Sequence, residues 1–353
     1  MAITFGLVTG SRRARAGALP LAPPGRAPAR DPGGVLDNFL VTSLIAWTRL
    51  ACCGARDEIL NARVERLVVT GAGGQVGSRV VQIAAEHRYN VVGLSRAQLD
   101  ICDEGAVAET LRPGDVVVNC AAQTQVDAAE ADPEGAHRIN AEAVGNLARA
   151  CARVGARFIH VSTDYVFAGQ EEGWFSARLA RPYEADDEPR PIQVYGESKL
   201  AGERLAFQHN PRSVVVRTSW VYTGERHGRD FVSTAREQAE SGSAMRAVTD
   251  QVGSPTRCVD LAYGLLELAW QGGEGGLLQF SNTGGCSRHD LARAVFEELG
   301  ADPDLVRPCM SWELERPAAR PPYSVLSVAS WMQRGLRPPR AWRDALRDAL
   351  RHG

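Results

Sequence analysis

The chain has 353 residues, 44% of them apolar and 23% charged, which is ordinary usage for one large or two smaller globular domains. Forty basic residues against forty-two acidic ones leave a formal charge of −2, so no global field draws nucleic acid or an anionic membrane, and an anionic ligand has to be held locally. No stretch reaches the roughly 18 uninterrupted apolar residues of a membrane span, because the best candidate, residues 35–53, is broken by Asp37, Asn38 and Arg49.

Residues 1–62 carry Arg12, Arg13 and Arg15 and then a proline-rich run with no clean period, and are expected to form a disordered extension. Their basic cluster follows the short apolar run 3–8 instead of preceding it, the wrong order for a secretory signal. The eight cysteines, at 52, 53, 102, 120, 151, 258, 286 and 309, lack both metal-ligand spacing and disulfide-scaffold density. They read as small hydrophobes in a reducing compartment, which points to the cytoplasm.

From Glu65 onward, short β-branched runs alternate with amphipathic stretches. Strands are expected near 66–70, 90–94, 115–119, 156–161, 213–217 and 277–281. Helices are expected near 75–87, 104–111, 133–154, 194–208, 229–241, 259–270 and 288–299. Asp132 before Pro133, and Ser287 with Asp290, mark two helix starts. This alternation predicts an α/β fold with a doubly wound, Rossmann-type parallel sheet across residues 63–353. A smaller substrate-binding portion is expected from the Gly/Pro/acid-rich insertion 169–191, from 222–245 and from about 282–353.

The first predicted strand runs into Thr70-Gly71-Ala72-Gly73-Gly74-Gln75-Val76-Gly77 and then a helix. Glycines at 71, 74 and 77 permit a tight turn, and the N–H groups around Gln75 and Val76 can approach a pyrophosphate at the helix start. After the second strand a NAD-specific site presents an acid to the ribose; here the chain has Ser95 and Arg96, and an arginine suits the 2′-phosphate of NADPH. Asp100 and Ile101 can flank the adenine. The third strand ends in Asn119-Cys120-Ala121-Ala122, small enough at 121 and 122 for the backbone to pass close under a cofactor, and continues to Thr124. The fourth ends in His160-Val161-Ser162-Thr163-Asp164, with Thr163 placed to polarise a substrate oxygen and His160 read as a structural histidine.

Lys199 is the chain's one lysine, beside thirty-nine arginines, and follows Tyr195 by four residues. Residues four apart share a helix face, so the phenol and the amine can meet at one site. An ammonium there is expected to lower the tyrosine pKa from near 10 and to bond a nicotinamide ribose, a task the broad guanidinium fits poorly.

Together these residues resemble the extended short-chain dehydrogenase/reductase superfamily, and within it the dTDP-4-dehydrorhamnose reductase family, across nearly all of residues 64–350. The more particular marks are Arg217-Thr218-Ser219-Trp220-Val221-Tyr222 and Asp250-Gln251-Val252-Gly253-Ser254-Pro255-Thr256. The resemblance implies reduction of a C4 keto group on a deoxysugar nucleotide with NADPH or NADH, with Tyr195 as proton donor, Lys199 tuning it and Thr163 assisting. It further implies that Thr124, Val126, Thr163, Asp164, Tyr195 and Trp220 line the sugar site, with Thr124 also near the cofactor. Arg316, Arg320 and Ser324 fall in the expected substrate-domain ending, where one arginine can meet a diphosphate. The acids that some members use for an interfacial metal are not identifiable, so the sequence lends Mg2+ no support and leaves monomer and homodimer open. Two alternatives share the same motifs: another sugar-nucleotide reductase or epimerase, and a non-catalytic NADP-binding subunit like the methionine adenosyltransferase β subunit.

Overall fold

In the computed structural model, residues 64–169 and 181–352 are described. The expected extension and residues 170–180 of the insertion lie outside them. The apolar runs pair as six parallel strands: β1 (Arg66–Thr70), β2 (Val91–Leu94), β3 (Asp115–Asn119), β4 (Arg157–Thr163), β5 (Val214–Thr218) and β6 (Gly276–Gln279). Their order is β6-β5-β4-β3-β1-β2, so the chain winds outward in both directions from β1 and β3. Open sheets of this kind hold ligands outside the strand C-terminal ends, at the point where the winding reverses.

The principal helices are α1 (Gln75–Glu86), α2 (Glu104–Thr110), α3 (Ala143–Val154), α4 (Val194–His209), α5 (Phe231–Glu240), α6 (Cys258–Gln271), α7 (Arg288–Glu298) and α8 (Trp342–His352). The strand period of two assigns alternate residues to opposite faces. Leu67, Val69 and Val118 pack with Ile83 of α1 and Leu265 and Trp270 of α6, whereas Val68, Val117 and Phe158 pack with Leu147 and Cys151 of α3. Both faces are therefore covered, and the strands read as near-continuous apolar runs. A third core joins Tyr222 and Val232 to Leu291, Phe296 and Leu346, gathering α5, α7 and α8.

Two departures from the expected elements have clear causes. The helix expected over 133–154 contains a π turn, Arg138–Glu142, where Asn140 turns inward. Its side chain accepts from Gln123 N (2.8 Å) and donates to Gln123 O (3.0 Å) and Ser198 Oγ (3.0 Å). Its carbonyl lies where a Cβ on Gly202 would stand, only 2.0 Å away, so α4 approaches this closely only because residue 202 is glycine. Helix α8, where sequence analysis places no element, buries Ala345, Leu346, Ala349 and Leu350 at helical spacing.

Helix α4 and strand β5 share a buried ion pair. Arg217 donates from Nη2 to Glu203 Oε2 (2.7 Å) and from Nε to Oε1 (3.0 Å), and Ser162 Oγ donates to the same carboxylate (2.5 Å). Removing one partner leaves an uncompensated buried charge. Arg217→Leu is therefore expected to cost about 3–5 kcal/mol in urea unfolding; an unchanged unfolding midpoint would show that Glu203 does not depend on this arginine.

Candidate active site

The strand ends converge on two cavities. One, of about 240 Å³, is lined by Gly71, Gly73, Gly74, Arg96, Asp100 and Ala121, together with Leu99, Ile101, Cys120 and Ala122. Gly71 has φ +69°, and a Cβ there would stand 2.5 Å from Ala121 N. A Cβ on Gly77 would stand 2.3 Å from Gly71 O, whereas one on Gly73 would meet nothing nearer than 4.0 Å. The glycines thus serve two needs: close contact between the β1 and β3 ends, and an open backbone before α1. Gly74, which lines the cavity, caps α1 without a side-chain bond, so the first N–H groups of the helix are left for a ligand beside it. The donor set and shape fit a dinucleotide.

Several expected cofactor residues divide differently by side chain. Gln75 Nε2 donates to Asp230 Oδ2 (3.3 Å) at the start of α5, and Val76 packs into the first core, so what either offers the cradle is backbone. Ser95 N and Oγ both donate to Gln98 Oε1, while Arg96 is exposed at the cavity mouth. Ile101 is buried, and Asp100 is exposed with its carboxyl held low by the Cys102 N–H. Thr124 is exposed in the loop after β3.

Helix α4 presents Tyr195, Lys199 and Glu203 as one stripe toward β4. Tyr195 is half-buried, hydrogen-bonded with Thr163 and set edge-on to Tyr165, with ring centroids 5.9 Å apart. Lys199 is 1% exposed, and its Nζ donates to Val161 O (2.7 Å) and meets His160 Nε2 (3.2 Å). The expected lowering of the phenol pKa by Lys199 is not what this arrangement gives. The protein packed around the hydroxyl raises the phenol above its ordinary range, against a smaller opposing effect of the Thr163 bond, while the amine is turned to His160 and Val161. Burial brings Lys199 down to about 8. Behind it, His160 Nδ1 meets Asn119 Nδ2 (3.0 Å), and Asn119 Oδ1 accepts from Thr70 Oγ1 (2.6 Å).

The second cavity, about 290 Å³, is lined by Tyr165, Trp220, Arg229, Arg246, Arg288 and Arg316 among others. Trp220 takes φ +43°, unusual for a bulky residue. The Arg288 guanidinium lies 3.6 Å over its ring, and a Cβ on Gly253 would stand 2.4 Å from it. The indole is thus sandwiched between a cation and a glycine. Asp164 Oδ2 accepts from Ser324 Oγ (2.5 Å) and Ser219 Oγ (2.8 Å), and burial pushes its carboxyl up to about 6 despite those hydroxyls. Val126 opens a short helix, Val126–Ala131, whose Asp127 is gripped at both oxygens by Arg320 (2.6 and 2.7 Å) and held at about 2. Arg320 is therefore committed to a carboxylate, and Arg316 is the member of that segment that reaches the cavity. Among the described residues no cluster of three or more His, Cys, Asp or Glu could hold a metal ion.

Sequence reasoning did not find Arg288, Asn140, the Asn119–His160 contact or the packing of Gly253, a member of the quoted Asp250–Thr256 motif, against Trp220. Each depends on contacts between elements seventeen or more residues apart, for which no local spacing signals.

Known proteins share this framework. Residues 65–353 match the RmlD substrate-binding domain family. A dTDP-4-dehydrorhamnose reductase from Mycolicibacterium smegmatis is 50% identical over 291 residues, 82% of this chain and 86% of its own. One from Mycobacterium tuberculosis is 51% identical over 288 residues, 82% and 93% of the two chains. The crystal structure of a dTDP-4-dehydrorhamnose reductase from Bacillus anthracis in complex with NADP is 31% identical, with a TM-score of 0.74, covering 83% of this chain and all of that one.

The cradle's two kinds of glycine can be told apart by stability alone. Gly77→Ala is expected to destabilise the chain by about 1–3 kcal/mol through overpacking, and Gly73→Ala to leave the melting temperature near wild type. Equal melting temperatures for the two variants would contradict the close approach at Gly77.

Proposed function

The chain belongs to the RmlD substrate-binding domain family, and on that footing we propose that it reduces the C4 keto group of dTDP-4-dehydro-L-rhamnose to give dTDP-L-rhamnose, with NADPH or NADH as reductant. One observation carries the reading. Tyr195 abuts Tyr165 of the arginine-lined cavity, and Lys199, one turn on, lies near Cys120 of the glycine-lined cavity. The acid and the amine therefore join the two binding spaces.

When bound, the nicotinamide supplies the hydride. The N–H groups after Gly74 hold the pyrophosphate, Arg96 suits a 2′-phosphate, and Asp100 and Ile101 border the adenine, with Ala121 and Ala122 leaving room beneath. Lys199 binds the nicotinamide ribose. Tyr195 keeps its proton across neutral pH because burial raises its pKa, which suits an acid that must donate to a carbonyl oxygen during reduction. Thr163 then bonds the oxyanion left on the phenol. On the sugar side, Trp220 offers an apolar edge to the cavity and Asp164, fixed by Ser219 and Ser324, an acceptor for sugar hydroxyls, and the family resemblance adds Thr124 and Val126. Arg229, Arg246 and Arg316 surround the space for the diphosphate. The described cysteines are all free, which suits a reducing compartment, and we place the reaction in the cytoplasm.

Incubation with NADPH and dTDP-4-dehydrorhamnose, followed by loss of NADPH absorbance, tests the substrate. Steady oxidation is expected, and none would overturn the assignment. Tyr195→Phe is expected to lower kcat by about 10²–10⁴-fold while NADPH still binds with wild-type affinity; retained turnover would remove Tyr195 from the acid role.

A further inference from the structure

We infer that His160 is a positioning residue for Lys199: with Asn119 behind it, it sets the aim of the buried amine and weakens its hold on a proton in the cofactor-free protein. The inference follows from hydrogen-bond directions along Thr70, Asn119, His160 and Lys199, all of them buried.

The chain of bonds is anchored at a group that can only donate. Ala121 N–H donates to Asn119 Oδ1 (3.1 Å), which fixes the amide so that its NH2 faces His160 Nδ1 (3.0 Å). Nδ1 must accept, so a neutral imidazole carries its proton on Nε2. His160 is neutral, since burial, the larger cause, holds its pKa well below the ordinary value. Its Nε2–H therefore points at Lys199 Nζ, 3.2 Å away. An ammonium has three donors and no acceptor, so a charged Lys199 would set donor against donor. A neutral amine resolves this, accepting from His160 while donating to Val161 O (2.7 Å). The other imidazole tautomer moves the same conflict to Asn119.

The remaining groups act the other way. Glu203 on the same helix and Cys120 after β3 both favour the ammonium, but Glu203 is already paired with Arg217. Burial outweighs them and leaves the amine at about 8. A side chain poised there loses its proton just above neutral pH, and cofactor ribose hydroxyls, by adding acceptors, would hold the ammonium to higher pH. That last link rests on the proposed function; the hydrogen-bond argument does not.

Because Lys199 is the one lysine of the chain, labelling lysine with 15N at Nζ gives a single side-chain resonance for the whole protein, and its titration reports this site alone. In the cofactor-free full chain the midpoint is expected near 8, well below the ~10.4 of free lysine. Asn119→Ser removes the donor facing Nδ1 without adding charge, so His160 can turn Nε2 into an acceptor. The midpoint should then rise by about one unit, tenfold in proton affinity, and the alkaline limb of kcat/KM should move up with it. His160→Gln, whose amide can accept from Asn119 and donate to Lys199, should keep a midpoint near wild type. A purely structural His160 would alter stability and leave all midpoints alike. A wild-type midpoint near 10.4, or one unmoved by Asn119→Ser, overturns the inference. A failed substrate assay would leave the titration standing, and an unmoved midpoint would leave the substrate assignment standing.

Discussion

Helix α4 carries an amine and a carboxylate, Lys199 and Glu203, into the protein interior on the face where an apolar stripe would ordinarily lie. Isolated buried charges cost several kcal/mol each, so the sheet beneath has to answer them atom by atom. Strand β4 supplies His160, the Val161 carbonyl and Ser162, and β5 supplies Arg217 in register with Ser162. Ordinary strands of this sheet are valine and leucine on both faces. The polar interruptions at Asn119, His160, Ser162 and Arg217 are what a polar helix face requires of them, and they fix how α4 is seated.

That seating controls the chemistry. Gly196 and Gly202 let α4 approach to where added Cβ atoms would stand about 2 Å from the carbonyls of Tyr165 and Asn140. Val194 N is held by Glu130 Oε1 (3.0 Å). Tyr195 is thereby brought to Thr163 at the end of β4, while Lys199 is kept from it by bonds on its far side. The acid is left with a raised pKa, fit to give a proton, and the amine is free for other work. Division of labour between the two cavities follows from the sheet: β1, β2 and β3 end at the glycine-lined space, and β4 and β5 end at Asp164 and Trp220 beside the arginine-lined one.

The strands and most helices were readable because their signals are local. Period-two and period-3.6 patterns locate β1 and β3 at their observed bounds and α1, α4 and α7 to within a residue or so of theirs. The glycine turn and the Tyr195–Lys199 spacing are equally local. The π turn at Arg138–Glu142 was not readable, since it arises from Asn140 reaching Gln123 and Ser198. Nor was Arg288, which sits inside a legible capping box yet acts by lying over Trp220, sixty-eight positions earlier. Helix α8 has a local signal in Ala345, Leu346, Ala349 and Leu350, but it stands apart from the strand–helix alternation before it. His160 reads as a structural histidine by its alternation on a buried strand; only the partner on each side of its ring shows what the burial is for.

An arginine tests the need for a lysine most directly. At a position closed off by Val161 O at 2.7 Å and His160 Nε2 at 3.2 Å, a planar, forked guanidinium has neither the width nor the donor pattern to replace the amine. With Lys199→Arg shown by its melting curve to be folded, kcat/KM for dTDP-4-dehydrorhamnose should fall by about a hundredfold or more. Turnover at the wild-type level would contradict the account.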